Sequence, residues 1–152
     1  GTALHAAVGR PGAGLDGFRA SARQSAQVRE ILATKLTGAG PRGAAHWVHY
    51  GEVAPVALMA GDLPAVRDFV TGTLGELARR DARGATLRET LRVFLAHRRS
   101  HAAAAQAMNL HRNSVQYRVR QAAALLPDGP ADDFNVRAAL LAAHWLGDAV
   151  LR

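Results

Sequence analysis

Between Ser100 and Arg120 the chain has little choice but two short helices joined by a tight turn, and this stretch constrains the fold more than any other. It reads Ser100-His101-Ala102-Ala103-Ala104-Ala105-Gln106-Ala107-Met108, then Asn109-Leu110, then His111-Arg112-Asn113-Ser114-Val115-Gln116-Tyr117-Arg118-Val119-Arg120. A serine hydroxyl ahead of an alanine run is a good N-cap, and alanine is the best helix former. Ala104 and Ala105 are small enough to let a second helix approach closely. Asn109 tolerates a left-handed backbone better than any residue except glycine, so the first helix is expected to end at Met108 and turn there. The second helix is expected from about Arg112 to Leu126, with Pro127-Asp128-Gly129-Pro130 as its stop. Leu110, Val115 and Val119 then face the core, with Met108 and Leu91 as its floor. Arg112, Asn113, Gln116 and Tyr117 are left pointing outward.

The rest of the chain divides into two kinds of pattern. Up to Val53 strand and helix alternate. Leu4 to Val8 reads as a strand ended by Gly9-Arg10-Pro11-Gly12. Leu15 to Leu36 repeats at helical spacing through Phe18, Ala22, Ser25, Val28, Ile31 and Leu32. Gly38-Ala39-Gly40-Pro41 stops that helix, and Ala45 to Tyr50 reads as a second strand. Two short strands leave edges unpaired, so further strands are expected upstream or from a partner chain. From Pro55 onward every signal is helical. A short helix is expected over Val56 to Ala60. The next starts at Asp62 and Pro64, buries Val66, Phe69, Val70, Leu74 and Leu77, and ends at Arg83-Gly84. A third carries Leu87, Leu91, Phe94 and Leu95. The last runs from about Phe134 to Val150 and buries Val136, Leu140, Leu141 and Trp145. The expected fold is therefore mainly α: a helical bundle containing a helix-turn-helix at about 100–126, over residues 54–152, preceded by a partial α/β segment over residues 1–53.

Net charge is +7, and its placement matters more than its size. From Leu87 to Leu126 there are seven arginines and a single acid, Glu89, while the remainder of the chain is nearly balanced. Such a basic stretch concentrates polyanions and releases their counterions on binding. An arginine-rich composition explains why Lys35 is the only lysine, but it does not explain why acids avoid this stretch. The absence of cysteine excludes disulfides and thiolate metal sites and fits a reducing cytoplasm. No apolar run approaches the ~18 residues that span a bilayer. The opening Gly1-Thr2-Ala3-Leu4 has neither Met nor the layout of a secretory signal, and looks like a boundary cut within a longer chain.

These features point to a helix that enters the major groove of duplex DNA. Arginine can bond guanine bidentately, and asparagine or glutamine can bond adenine. Arg112, Asn113, Gln116 and Tyr117 are thus the candidate base contacts, with capping or phosphate roles as the alternatives for Arg112 and Asn113, and a phosphate contact or surface packing as the alternatives for Tyr117. Arg98, Arg99, His101, His111, Ser114, Arg118 and Arg120 are the candidate phosphate contacts, with His111 expected to cap the helix start or hold a phosphate there. The histidines do not make a metal site. His46 and His49 fall on opposite faces of a strand, and Ser100 separates His97 from His101. No phosphate-cradling glycine loop, nucleophile–base pair or carboxylate pair suggests catalysis. No cofactor is expected.

The run His111 to Val119 also resembles the recognition-helix signature of PucR/CdaR-type regulators, His-Arg-Asn-Thr followed by Tyr-Arg-Leu. Upstream, Leu74-Gly75-Glu76-Leu77, Asp81 and Leu87-Arg88-Glu89-Thr90-Leu91 resemble that family's approach to the motif. Downstream, Asp132-Asp133 and the closing helix resemble its end. The resemblance is specific over about Asp62 to Leu146. It is weaker over Gly9 to Val53, where Leu15 to Ser25 and His49-Tyr50-Gly51-Glu52-Val53 look like the end of the family's GGDEF-like middle domain. No Gly-Gly-Asp/Glu-Glu-Phe motif is present, so cyclase activity does not carry over. Ser114 stands for the usual Thr, Val119 for Leu, and Asn109 for a residue that is often Gly. The resemblance implies a bacterial, cytoplasmic activator or repressor of metabolic genes, with a small-molecule effector sensed by a domain outside this chain; sequence-specific binding of duplex DNA as a homodimer is the leading expectation.

Two other functions compete with sequence-specific DNA binding. One is a protein-interaction or dimerisation module whose basic face meets an acidic partner, with an apolar patch around Trp47 or Trp145. The other is RNA binding, for which no aromatic stacking platform is visible.

Overall fold

The computed structural model describes residues 5–36, 46–127 and 134–152. The start at Gly1, the turn at Gly38-Ala39-Gly40-Pro41, the Asp128-Gly129-Pro130 stop and the Asp132-Asp133 step lie outside the described residues. Backbone contacts group residues 1–63 with 145–149 in one unit, and residues 64–144 with 150–152 in another.

The first unit is a strand–helix–strand–helix. Strand β1 (His5–Val8) pairs in parallel with β2 (His46–His49), with Ala6 opposite Trp47 and Val8 opposite His49. Between them runs α1 (Gly14–Leu36), which buries Val28, Ile31 and Leu32. The amphipathic pattern fails at its first turns, where Phe18 is 70% exposed. On β2 the alternation of side chains buries Val48 and leaves Trp47 68% exposed. Helix α2 (Tyr50–Met59) follows without a loop, so the strand ends one residue earlier and the helix begins six residues earlier than the sequence pattern indicates. Glu52 accounts for that early start. Its Oε1 accepts the His49 backbone N–H at 3.1 Å, one half of a capping box. Pro55 lies inside α2 without ending it.

The second unit is helical. Helix α3 (Leu63–Leu74) buries Val66, Val70 and Leu74, and Phe69 is half-buried. It stops at Gly75, whose φ is +54°, and a 3₁₀ turn carries the chain to Ala78. The expected end at Arg83-Gly84 is therefore incorrect. Those residues sit in the first turn of α4 (Ala82–Ala96), where Asp81 accepts the Gly84 N–H at 2.5 Å as the N-cap. A side chain at Gly84 would meet the Arg79 carbonyl oxygen at 2.9 Å and the Arg88 guanidinium at 3.0 Å, so glycine here serves packing and not helix termination. Helix α4 buries Leu87, Leu91, Phe94 and Leu95 as the sequence indicated.

Helices α5 (His101–Met108) and α6 (Arg112–Ala123) pack on each other and on α4. The turn closing α6 packs Pro127 against Gly75, where a Cβ would come within 2.9 Å of its ring. Helix α7 (Phe134–Leu146) is followed by a 3₁₀ turn opened by Gly147 at φ +53°, so it ends before the expected Val150. Val136, Leu140 and Trp145 are buried, Leu141 only partly, and Phe134 is 79% exposed. Within this unit the tail is tied back to the 3₁₀ turn by Arg80 N–H to Arg152 O at 2.8 Å and Arg152 N–H to Ala78 O at 3.2 Å. The Arg152–Glu76 ion pair at 2.6 Å and two Arg80 guanidinium bonds to the Leu151 carbonyl add to that tie. Among the described residues, no helix is long and apolar enough to cross a membrane.

Candidate nucleic-acid interface

The corner between α5 and α6 is set by three local devices. Ser100 takes an extended conformation and its hydroxyl accepts the Ala103 N–H at 3.2 Å, starting α5. Asn109 ends it at φ 52°, ψ 47°, the left-handed conformation expected of it. The turn returns the Leu110 N–H to the Ala105 carbonyl at 2.9 Å. His111 then caps α6, its Nδ1 accepting the Asn113 N–H at 3.3 Å. Ala104 (0% exposed) and Ala105 (5%) are buried at the crossing, and Val115 of α6 is wholly buried. Leu110, Val119 and Met108 are half-buried.

That burial decides which way the rest of α6 faces. At about 100° per residue, Val115, Ala122 and Val119 fall on the inner side, and Arg112, Gln116, Arg120, Asn113 and Tyr117 share an outer arc of about 140°. All five are exposed, Tyr117 at 56%. The side chains of Arg112, Asn113, Gln116 and Arg120 make no bond to other described residues. Ser114 and Arg118 stand apart from the arc, half-buried on one flank of the helix. The structure thus brings the four candidate base contacts together with Arg120, and separates Ser114 and Arg118 from them.

Tyr117 has a partner that the sequence pattern did not reveal. The Gln121 side-chain amide donates to the Tyr117 hydroxyl at 2.7 Å, one turn further along α6. Its four-residue spacing is a common helix-surface contact and gives no functional signal by itself.

Before α5 the chain makes an unusual corner. Arg98 (φ 53°) and Arg99 (φ 61°) are consecutive left-handed residues, a conformation that normally falls to glycine. The corner is held by the Arg99 N–H to the Phe94 carbonyl at 3.0 Å and the Ser100 N–H to the His97 carbonyl at 3.0 Å. Both arginines are exposed. His101 is only half-exposed, its ring lying on Phe94 with centroids 4.5 Å apart.

The basic stretch also sorts itself. Arg88 is spent on fold: one of its guanidinium nitrogens donates to the Leu77 and Arg79 carbonyls, each at 2.7 Å. Arg92 forms a two-pronged pair with Glu89, at 2.6 and 2.8 Å, and His144 Nδ1 of α7 lies 3.1 Å from the same carboxylate. The Arg92 hydrogen bonds hold the Glu89 carboxyl far below the usual carboxylate range, with His144 adding to the effect and partial burial opposing it. Among the described residues, no group of three histidines or carboxylates gathers as a metal site would need.

Residues 87–145 match the family profile described as the PucR C-terminal helix-turn-helix domain. The match takes in most of α4 and α7 and all of α5 and α6, and a helix-turn-helix of this type is a DNA-binding module. The comparisons with curated proteins and with solved structures gave no significant match.

Proposed function

We propose that this chain binds duplex DNA sequence-specifically as the DNA-reading part of a transcriptional regulator, with α6 lying in the major groove. Arg112, Asn113, Gln116 and Tyr117 contact base edges, where arginine suits guanine and the two amides suit adenine. Arg98, Arg99, His111 and Arg120 contact phosphates, and His101, Ser114 and Arg118 do so from the margins of the interface. The observation that carries this reading is the outer arc of α6: the exposed side chains of Arg112, Asn113, Gln116 and Arg120 have no bonding partner among the described residues, whereas Arg88 and Arg92 are committed to the fold. A helix whose outer polar groups served only solubility would not need its neighbourhood cleared of acids.

A two-fold homodimer would read two half-sites about 34 Å apart or a multiple of that. Residues 1–53 are read as the end of a non-catalytic GGDEF-like domain. A cytoplasmic regulator of metabolic genes, its small-molecule effector sensed outside this chain, completes the proposal. Selection from a random duplex library tests it. The expected outcome is an enriched motif, duplicated at helical-turn spacing; enrichment of no motif would reject sequence-specific reading. The basic-face interaction module instead predicts retention of an acidic protein partner with indifference to base sequence.

A further inference from the structure

Among the described residues, Tyr117 is the one candidate base contact whose polar atom already has a partner in the protein, and the form of that engagement defines what it can recognise. A tyrosine hydroxyl has one proton to donate and two lone pairs to accept with. The Gln121 amide N–H occupies a lone pair at 2.7 Å, and the described residues supply no acceptor for the proton. Gln121 itself is half-buried, on the margin of the outer arc, while Tyr117 is mostly exposed. Side chains on a helix lean toward its N-terminus, so Gln121 reaches back over the turn that carries Tyr117 and fixes the ring along the helix surface. A hydroxyl that accepts one hydrogen bond also becomes a better donor through polarisation.

We propose that Gln121 is a positioning residue for recognition: it holds the Tyr117 side chain in place and reserves the hydroxyl proton for an acceptor on the DNA. The acceptor is a phosphate oxygen or a base-edge acceptor such as guanine O6 or N7, adenine N7 or thymine O4, and not an exocyclic amino group. This rests on the DNA-binding reading above and adds to it a residue that makes no contact of its own with DNA.

The test is a double-mutant cycle on the full chain with Gln121→Met, Tyr117→Phe and the pair, titrated by fluorescence anisotropy against the selected duplex. Each single change should weaken binding about fivefold, the worth of one hydrogen bond. In the Tyr117→Phe background, Gln121→Met should cost nothing further, an effect that a general structural role would not produce. Equal losses from Gln121→Met in both backgrounds, or no loss in the native background, would overturn the positioning role while leaving DNA binding intact. Failure of the native chain to bind duplex at all would overturn both. Repeating Tyr117→Phe across single-base variants of the site identifies the acceptor: uniform weakening means phosphate, and lost preference at one base pair means a base edge. A loss confined to amino-group positions would contradict the donor assignment.

Discussion

Arg98 offers a way to separate charge from backbone at one position. Its φ of +53° brings the Cβ of an L-residue against its own carbonyl, which costs roughly 1–2 kcal/mol. Glycine removes that cost but gives the unfolded chain more freedom, about 0.4–1 kcal/mol. Arg98→Gly should therefore add about 0.5–1 kcal/mol of stability. At this chain length each 1 kcal/mol moves Tm by about 2–4 °C, so a rise on the order of 1–4 °C is expected by differential scanning calorimetry. Arg98→Ala keeps the Cβ and should give no rise. The corner's hydrogen bonds, including the Arg98 N–H to the Leu95 carbonyl at 3.3 Å, use backbone atoms that both variants retain. Both variants lose the guanidinium and should weaken binding to any duplex alike, by about fivefold. The slope of log affinity against log salt should flatten by about 0.9, one phosphate contact. Identical melts for the two variants would refute the strain argument. An unchanged salt slope would refute the phosphate contact.

Other perturbations report on the frame behind the interface. Gly75→Ala should destabilise the chain by about 2 kcal/mol in a denaturant titration, because it combines a positive φ with a Cβ 2.9 Å from Pro127. Ser100→Ala removes the cap on Ala103 and should cost about 1 kcal/mol, a loss that Ser100→Asp should largely avoid. The Glu89 carboxyl has its pKa depressed by Arg92, so its contribution is present above the unfolded value and is lost as pH falls through the lower folded value. Native-chain melts should accordingly fall as pH drops below about 4.5. Glu89→Gln should have a lower Tm than the native chain at pH 7 and a shallower acid limb; parallel acid limbs would refute the assignment.

How far the sequence could be read depended on how local each cause was. Ser100 and Asn109 are governed by capping and left-handed turn chemistry, which act within a few residues, so α5 and its turn could be placed from them alone. The end of α3 could not. Leu74 and Leu77 are three apart, a spacing shared by α and 3₁₀ helices, so the apolar stripe runs straight through the break at Gly75. Gly84, which reads locally as a stop, is explained by the Arg79 carbonyl, which a Cβ there would meet at 2.9 Å and which the local sequence pattern does not place. Counting charges located the basic stretch, yet it could not distinguish Arg88 and Arg92, consumed by carbonyls and Glu89, from Arg112 and Arg120 on the outer arc. Trp47 and Phe134, whose composition suits a core, are exposed. The Tyr117–Gln121 bond depends on two rotamers meeting, and no spacing rule marks it as functional.

Sequence reading by the outer arc of α6 is tested most directly by comparing Asn113→Ala with Arg120→Ala on two duplexes, the selected site and a random one. Asn113→Ala should lose about 1–3 kcal/mol on the selected site and almost nothing on the random one, while Arg120→Ala should weaken both equally. Equal behaviour of the two variants on both duplexes would contradict the assignment of this arc to base recognition.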